Sequence, residues 1–173
     1  TGHTPHTLMR NEPFENVEGG RGTEFGTQVH DFAEAYALGQ SVEPSNTDER
    51  YVAAFIDGLD GGLRVEEAVT LPLEVDDRRV TVSGVVDLLH VTPDRVEVVD
   101  YKTDNGRHGE DEYRKQLSVY AHVVSAVYPS REVTASILYT KTGKRVMIDP
   151  LSQEELRATV RAQQAAQALH LDT

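Results

Sequence analysis

Cysteine is absent from the 173-residue sequence. Its absence excludes disulfide bonds, a cysteine nucleophile, a zinc knuckle and an iron–sulfur cluster. Any bound metal must therefore be a hard ion held by oxygen and imidazole ligands. The sequence also lacks a secretory signal and any apolar run near the roughly 20 residues that span a membrane, so we expect a cytoplasmic protein. Because the first residue is Thr1 and not Met, we expect a piece of a longer chain.

Basic residues are scarce: 17 Lys and Arg stand against 29 Asp and Glu, and the net charge is −12. A protein that binds nucleic acid normally presents a basic surface, so this acidity has two interpretations. Either nucleic acid is not the partner, or the acidic surface is an adaptation to high salt. We favour the second, because acidic residues are dense in the apparent loops and only four of the basic residues are lysines, a composition that resembles salt-adapted proteins. At molar salt the Debye length is about 3 Å, so net charge is unimportant at long range. Binding would then depend on local contacts.

Hydrophobic periodicity predicts nine elements after an irregular segment, residues 1–22, that is interrupted by Pro and Gly. Spacings of three and four residues indicate helices, and alternation indicates strands. The predicted helices are 23–39, 47–59, 110–127 and 152–170; the predicted strands are 65–73, 80–91, 95–102, 133–140 and 145–148. This order is not a βαβ repeat, and we predict an α/β (α+β) sandwich. We expect one domain over residues 1–173, which is a monomer.

The strongest chemical signal lies at the end of the third predicted strand. Asp100 and Lys102 are two residues apart, so their side chains share one face of the strand. A carboxylate and a lysine beside a buried valine run are costly unless they have a function. Taken alone, the pair is equally compatible with a surface ion pair that contributes about 0–1 kcal/mol.

A second carboxylate is predicted to lie opposite the first. A hairpin that turns near Pro93 places residue 87 opposite about residue 99, so Asp87 and Asp100 become cross-strand neighbours with Cβ atoms about 5 Å apart. Two carboxylates at that separation repel each other unless a cation lies between them. Magnesium and manganese are the divalent ions that such oxygen ligands suit. Gly84, three residues before Asp87, leaves room for close approach beside this site.

Two helices carry further candidates. His30 follows Gly26 and Thr27 on the first helix and offers an imidazole nitrogen as a metal ligand from outside the sheet. Gln116 and Tyr120 are four residues apart and share one helical face, where an amide and a hydroxyl suit holding a phosphate or orienting Lys102. Each of these residues taken alone is more often a surface or core residue than part of a site.

Taken together, the motifs resemble a known family. They are Gly26-Thr27-x-x-His30, Gly84-x-x-Asp87, Asp100-Tyr101-Lys102-Thr103 and Gln116-x-x-x-Tyr120. Their order and rough spacing, from about residue 20 to residue 140, resemble the RecB-like branch of the PD-(D/E)XK nucleases. The chain looks like the nuclease region at the C-terminal end of UvrD/RecB-type helicases, especially salt-adapted archaeal ones. No Walker-type motif of a helicase motor is present.

The resemblance implies a restriction-endonuclease-like core with a mixed central sheet flanked by helices. It implies a magnesium- or manganese-dependent DNA nuclease, an exonuclease of DNA repair or recombination, without an iron–sulfur cluster. The implied metal ligands are His30, Asp87, Asp100 and the backbone carbonyl of Tyr101. Lys102 would act in catalysis with the two aspartates. The implied DNA-contacting residues are Thr27, Gln116 and Tyr120.

Two other functions remain open at this point. The first is a nuclease-like module of a helicase that binds DNA or a protein without cutting; the complete set of ligand positions argues against it. The second is a hydrolase for another phosphoester, which the absence of a glycine loop that cradles nucleotides makes a weaker interpretation.

Overall fold

The computed structural model describes residues 23–104 and 109–172. The predicted irregular segment, residues 1–22, lies outside the described residues, as do residues 105–108 and 173. The described chain forms nine elements in the predicted order. They are α1 (Thr23–Ala37), α2 (Thr47–Asp57), β1 (Gly62–Val75), β2 (Arg78–Val91), β3 (Arg95–Lys102), α3 (Glu110–Val127), β4 (Glu132–Tyr139), β5 (Lys144–Ile148) and α4 (Gln153–Asp172).

The described strands form one mixed sheet in the order β1-β2-β3-β4-β5. The pairs β1–β2, β2–β3 and β4–β5 are antiparallel, so β1, β2 and β3 form a meander, which includes the predicted hairpin near Pro93, and β4 and β5 form a second hairpin. The pair β3–β4 is parallel, with Lys102 opposite Tyr139. A parallel pair requires a crossover connection, and α3 supplies it. This crossover brings α3 back across the face on which Asp100 and Lys102 lie.

A two-residue turn joins β1 to β2 at the predicted position. Asp76 and Asp77 have φ angles of 50° and 65°, the left-handed conformation that a type I′ turn requires at both positions. β1 is longer than predicted, because its pairing with β2 extends from Gly62 to Val75. Pro72 is tolerated within it because β1 lies at the edge of the sheet.

Apolar side chains form two cores on the two sides of the sheet. The larger core packs α3 and α4 against the sheet, through residues such as Leu117, Val124 and Leu156. The smaller core packs α1 and α2, through residues such as Val29 and Val52. Helix packing of this kind confirms the prediction of a mixed sheet flanked by helices.

The long hairpin of β1 and β2 changes from one core to the other at Asp87. Val86 lies in the larger core and Leu88 in the smaller one, although the two residues are two positions apart on one strand. The change occurs in both strands: Leu63 and Val65 of β1 also pack against the smaller core, whereas Val69 lies in the larger one. Asp87 therefore lies at the junction of the two cores.

A capping box stands at the start of the last helix. The backbone amide of Glu155 donates to Ser152 Oγ at 3.0 Å, and the amide of Ser152 donates to Glu155 Oε1 at 2.8 Å. The helix covers Gln153–Asp172 and not residues 152–170, because Ser152 is the cap that precedes it. Among the described helices, none is long and apolar enough to cross a bilayer.

Candidate active site

β2 and β3 bring the two predicted aspartates to one place. The ladder between β2 and β3 ends at the pair of Leu88 with Val99, and Asp87 and Asp100 are the next residue along each strand. The register is one residue away from the predicted pairing of residue 87 with about residue 99. The backbone amide of Tyr101 donates to Asp87 Oδ2 at 2.9 Å. This bond orients the Asp87 carboxylate from the neighbouring strand.

Lys102 and Asp100 form a buried ion pair on the α3 side of the sheet. Lys102 Nζ lies 2.9 Å from Asp100 Oδ2, and the exposed fractions of the two side chains are 8% and 5%. This contact gives the buried Asp100 Oδ2 a positively charged partner in a place that is shielded from water.

His30 approaches the carboxylates from the other side of the sheet, on α1. Its Nδ1 atom donates to the carbonyl oxygen of Gly26 at 2.8 Å, and its Nε2 atom lies 3.2 Å from Asp87 Oδ2. The first bond fixes the ring so that Nε2 points at the site. Gly26 itself packs closely on Thr103, because a Cβ atom there would lie 3.3 Å from Thr103 Oγ1.

The charges of these groups shift one another's pKa. Burial by itself would lower the pKa of His30, but the Asp87 carboxylate and its hydrogen bond raise it to about 10. Burial works to raise the pKa of Asp87, but the charge of His30 and the hydrogen bonds from His30 and the Tyr101 amide together lower it below its usual range. Burial raises the pKa of Asp100 to about 7, and the charge of Asp87 adds to this against the opposing effect of Lys102. The group is therefore short of positive charge near Asp100.

Gln116 and Tyr120 continue the site along α3. Gln116 Oε1 accepts from Lys102 Nζ at 3.5 Å, and Gln116 Nε2 donates to the Tyr120 hydroxyl at 2.9 Å. Tyr120 lies against Gly84, where a Cβ atom would be 2.7 Å from the Tyr120 hydroxyl oxygen. A side chain at position 84 would therefore displace the group that holds Gln116.

The predicted DNA-contacting residues differ in their exposure. Thr27 is exposed on α1, and Gln116 is half-buried. Tyr120, in contrast, is 2% exposed and belongs to the larger core. Its side chain offers almost no surface to DNA, because the core encloses the ring and Gln116 covers the hydroxyl group. The prediction that Tyr120 contacts DNA directly does not agree with this burial.

Comparison with known families agrees with this arrangement. The family model of the PD-(D/E)XK nuclease superfamily matches residues 48–172, which is more than half of the chain. The chain belongs to the PD-(D/E)XK nuclease superfamily. The matched range includes Asp87, Asp100, Lys102 and Gln116, but it does not extend to His30.

Two relatives of this PD-(D/E)XK domain are helicase/nuclease subunits. The chain is 40% identical over 77 residues to an ATP-dependent helicase/nuclease subunit of Desulforudis audaxviator (strain MP104C), a match that covers 42% of this chain and 6% of that protein. It is 32% identical over 75 residues to the protein of the same name from Oenococcus oeni (strain ATCC BAA-331 / PSU-1), covering 39% and 6%. The match thus spans about 6% of the length of these relatives.

A solved structure also overlaps loosely with this PD-(D/E)XK domain. It is the crystal structure of SSO0001, which is 10% identical in sequence, with a TM-score of 0.44 over 84% of this chain and 86% of the other.

The donor chemistry of the PD-(D/E)XK site fits a hard divalent cation. Among the described residues, no three His, Asp or Glu side chains already surround a common ion position, and His30 and Asp87 bind each other directly. Asp100, however, is a buried carboxylate beside a second carboxylate, Asp87, whose charge raises the pKa of Asp100. A cation at this point would supply the missing positive charge, and it would replace the bond between His30 and Asp87.

One neighbour of the PD-(D/E)XK lysine was not identified as a site residue from the sequence. The ring centroid of Tyr113 lies 4.2 Å from Lys102 Nζ. Tyr113 follows the apolar spacing of α3, which predicts a core residue, and it does belong to the larger core. Its position three residues before Gln116 places it on the same helical face, and that spacing is the signal that could have linked it to the site.

Two polar residues that the sequence analysis also missed fix the end of β3. The backbone amide of Thr140 donates to the carbonyl oxygen of Lys102 at 2.9 Å. The Thr140 hydroxyl donates to Asp48 Oδ2 at 2.7 Å, and both side chains are buried. Asp48 lies in the first turn of α2, so this link ties the backbone of Lys102 to the helix that packs in the smaller core.

Proposed function

We propose that this domain is a divalent-metal-dependent deoxyribonuclease that hydrolyses phosphodiester bonds. The observation that carries the proposal is the meeting of Asp87, Asp100 and Lys102 at one buried point within a chain that belongs to the PD-(D/E)XK nuclease superfamily. Two carboxylates and a lysine at one point match the chemistry of phosphoryl transfer, which needs a metal and a positive charge near the phosphate.

Asp87, Asp100, the Tyr101 carbonyl and His30 Nε2 would hold magnesium or manganese. Once bound, the metal supplies Lewis acidity toward a phosphate oxygen and lowers the pKa of water. The Tyr101 amide holds Asp87 in orientation through its 2.9 Å bond. The Gly26 carbonyl holds the His30 ring with Nε2 toward the carboxylates. Both contacts organise the ligands before a metal arrives.

Lys102 would stabilise the charge that develops on the phosphate. Its ammonium group is fixed by Asp100 and Gln116, and a fixed cation in a site shielded from water stabilises a transition state more than a mobile one does. Gln116 is half-buried and would contact the DNA strand, as would the exposed Thr27. We assign Tyr120 to holding Gln116 in place and not to contact with DNA, because Tyr120 is buried.

The biological setting follows from the relatives. Two of them are subunits of ATP-dependent helicase/nucleases and are far longer than this chain. We propose that this domain is likewise part of a helicase-nuclease, acts as an exonuclease on single strands or duplex ends, and serves DNA repair or recombination. The net charge of −12 supports the further proposal that it works in high salt, where screening reduces repulsion from DNA.

The test is cleavage of end-labelled single-stranded and duplex DNA with manganese, magnesium or EDTA, in dilute buffer and in molar KCl. Lys102→Ala is compared with the wild type, and Lys115→Ala is the matched control, since Lys115 pairs with Glu112 outside the site. We expect metal-dependent cleavage that Lys102→Ala abolishes and Lys115→Ala preserves. Equal cleavage by wild type and Lys102→Ala would overturn the proposed site.

One observation favours a second function, a DNA-binding module of a helicase that does not cut. Among the described residues, no preformed group of three metal ligands exists. If the domain binds DNA but neither manganese nor magnesium by calorimetry, this second function replaces the first. Metal binding without cleavage would instead show that cleavage depends on parts of a larger protein.

A further inference from the structure

The Lys102 ammonium lies against the face of an aromatic ring. Its Nζ atom is 4.2 Å from the ring centroid of Tyr113, within the range of a cation–π interaction. Asp100 and Gln116 contact the same ammonium group with oxygen atoms. The ring therefore occupies a side of the ammonium that neither oxygen covers.

The Tyr113 ring is itself held firmly. It is 1% exposed, and its hydroxyl donates to Asp104 Oδ2 at 2.6 Å. Its backbone amide donates to the Gly109 carbonyl at 2.9 Å in the first turn of α3. Asp104 comes two residues after Lys102, so Tyr113 contacts both the lysine side chain and the segment in which the chain leaves β3.

We propose that Tyr113 is a positioning residue for the catalytic lysine. The ring fixes the Lys102 ammonium at the point where Asp100 and Gln116 also reach it, and the Asp104 bond fixes the ring. This inference rests on the proposed function for its catalytic consequence. The contact between the Tyr113 ring and the Lys102 ammonium group does not itself depend on catalytic activity. A residue that served only the core would stabilise the fold without controlling where Nζ lies.

The first test separates the ring from its hydroxyl group. Tyr113→Phe retains the ring and loses the bond to Asp104, whereas Tyr113→Leu loses both. The matched control is Tyr128→Leu, because Tyr128 follows the same helix at its other end and its ring faces Arg131 at 5.1 Å. All three variants are compared with wild type by melting temperature, kcat and KM for the DNA.

We expect Tyr113→Leu to lower kcat about tenfold or more, the effect of removing a desolvated cation–π contact. KM should change little, because Tyr113 is buried and does not reach the DNA. Tyr113→Phe should recover most of the rate, and Tyr128→Leu should have the wild-type kcat. If folded Tyr113→Leu keeps the wild-type kcat, or loses no more than Tyr128→Leu does, the positioning role is refuted.

The second test needs no activity. The chain has four lysines, so selective ¹³C labelling of lysine gives few enough signals to assign Lys102 by its substitution to Ala. We expect its ε-methylene protons to shift upfield from the ring current of Tyr113, and the shift to persist in Tyr113→Phe. Its absence from the wild-type spectrum would overturn the inference even if Tyr113→Leu fails to fold. If wild type shows the shift but neither binds manganese or magnesium nor cuts DNA, the proposed function fails while the contact between Tyr113 and Lys102 stands.

Discussion

The Nε2 atom of His30 lies 3.2 Å from Oδ2 of Asp87, although 57 residues separate them in sequence. The pair joins a helix of the smaller core to the strand that passes between the two cores. The raised pKa of His30 places a protonated imidazole beside the carboxylate of Asp87. Under the proposed function, a metal would take the place of this proton beside Asp87.

The pair predicts a stability change in alkaline solution. Asp87 raises the pKa of folded His30 from its ordinary 6.5 to about 10. A raised folded pKa means that this stabilisation is fully present below about pH 6.5 and is lost as pH rises through about 10. We expect the free energy of unfolding in EDTA to fall more steeply between pH 7 and pH 10 for wild type than for His30→Gln. His122→Gln, which alters a contact with the Leu151 carbonyl, should follow wild type; parallel curves for wild type and His30→Gln would contradict the pairing.

Metal binding should release protons. Manganese requires a neutral His30 and an ionised Asp100, whereas the pKa of His30 is raised to about 10 and that of Asp100 to about 7. Calorimetry at pH 8 in buffers of different ionisation enthalpy should therefore show release of about one proton per manganese ion. His30→Gln should bind manganese with little proton release. Binding by wild type that is independent of the buffer would show that His30 does not exchange its proton for the metal.

Lys102 should be needed for stability as well as for catalysis. Removing one partner of a buried ion pair costs about 3–5 kcal/mol, so Lys102→Met should strongly destabilise the metal-free protein at pH 8. The loss should be smaller at pH 5, below the pKa of Asp100 near 7, because a neutral Asp100 needs no cation. Denaturant unfolding measures both values.

The double variant Asp100→Asn with Lys102→Met should recover much of the lost stability. Arg79→Met, which breaks an exposed pair with Glu74, is the control and should change stability by about 0–1 kcal/mol. A cost for Lys102→Met that is equal at pH 5 and pH 8 would mean that the charge of Asp100 is not the cause.

Gly84 should not tolerate a methyl group. A Cβ atom at this position would lie 2.7 Å from the hydroxyl oxygen and 2.9 Å from Cε1 of Tyr120, and overpacking of this kind costs about 1–3 kcal/mol. We expect Gly84→Ala to destabilise the domain and to slow DNA cleavage by displacing Tyr120 and, with it, Gln116. The control is Gly58→Ala, whose Cβ atom would be 3.6 Å from the Phe55 carbonyl oxygen. Wild-type melting and cleavage for Gly84→Ala would exclude a close fit between Gly84 and Tyr120.

The parts of the site that depend on strand geometry could be predicted from the sequence. Asp100 and Lys102 share a face because side chains alternate along a strand, and the structure has them 2.9 Å apart. Asp87 reaches Asp100 because the short connection at Pro93 fixes the register of the hairpin. Both relationships need only local rules, and these rules also determine the order of the elements.

The remaining parts depend on packing between distant elements. The sequence does not show that β4 pairs with β3 in parallel, or that the twisted hairpin changes cores at Asp87. For the same reason Tyr113 was predicted as a core residue and not as a neighbour of Lys102. The resemblance implied that Tyr120 contacts DNA, and the spacing of Tyr120 from Gln116 indicates a shared helical face but not how deeply that face is buried.

The two cores meet at Asp87 and hold different parts of the site. One part can therefore be lost by local unfolding while the other part remains folded. His30 is held by α1 and the smaller core, whereas Lys102, Gln116 and Tyr113 are held by α3 and the larger core. Local unfolding of α1 would remove the imidazole but leave the lysine and its contacts with Asp100, Gln116 and Tyr113 assembled. Under the proposed function, a mutation in Val29 would then weaken metal affinity without disturbing Lys102, whereas a mutation in α2 would also reach Lys102 through the link between Asp48 and Thr140. The sheet would thus separate the side that holds the imidazole from the side that holds the lysine, and the two aspartates lie where both sides meet.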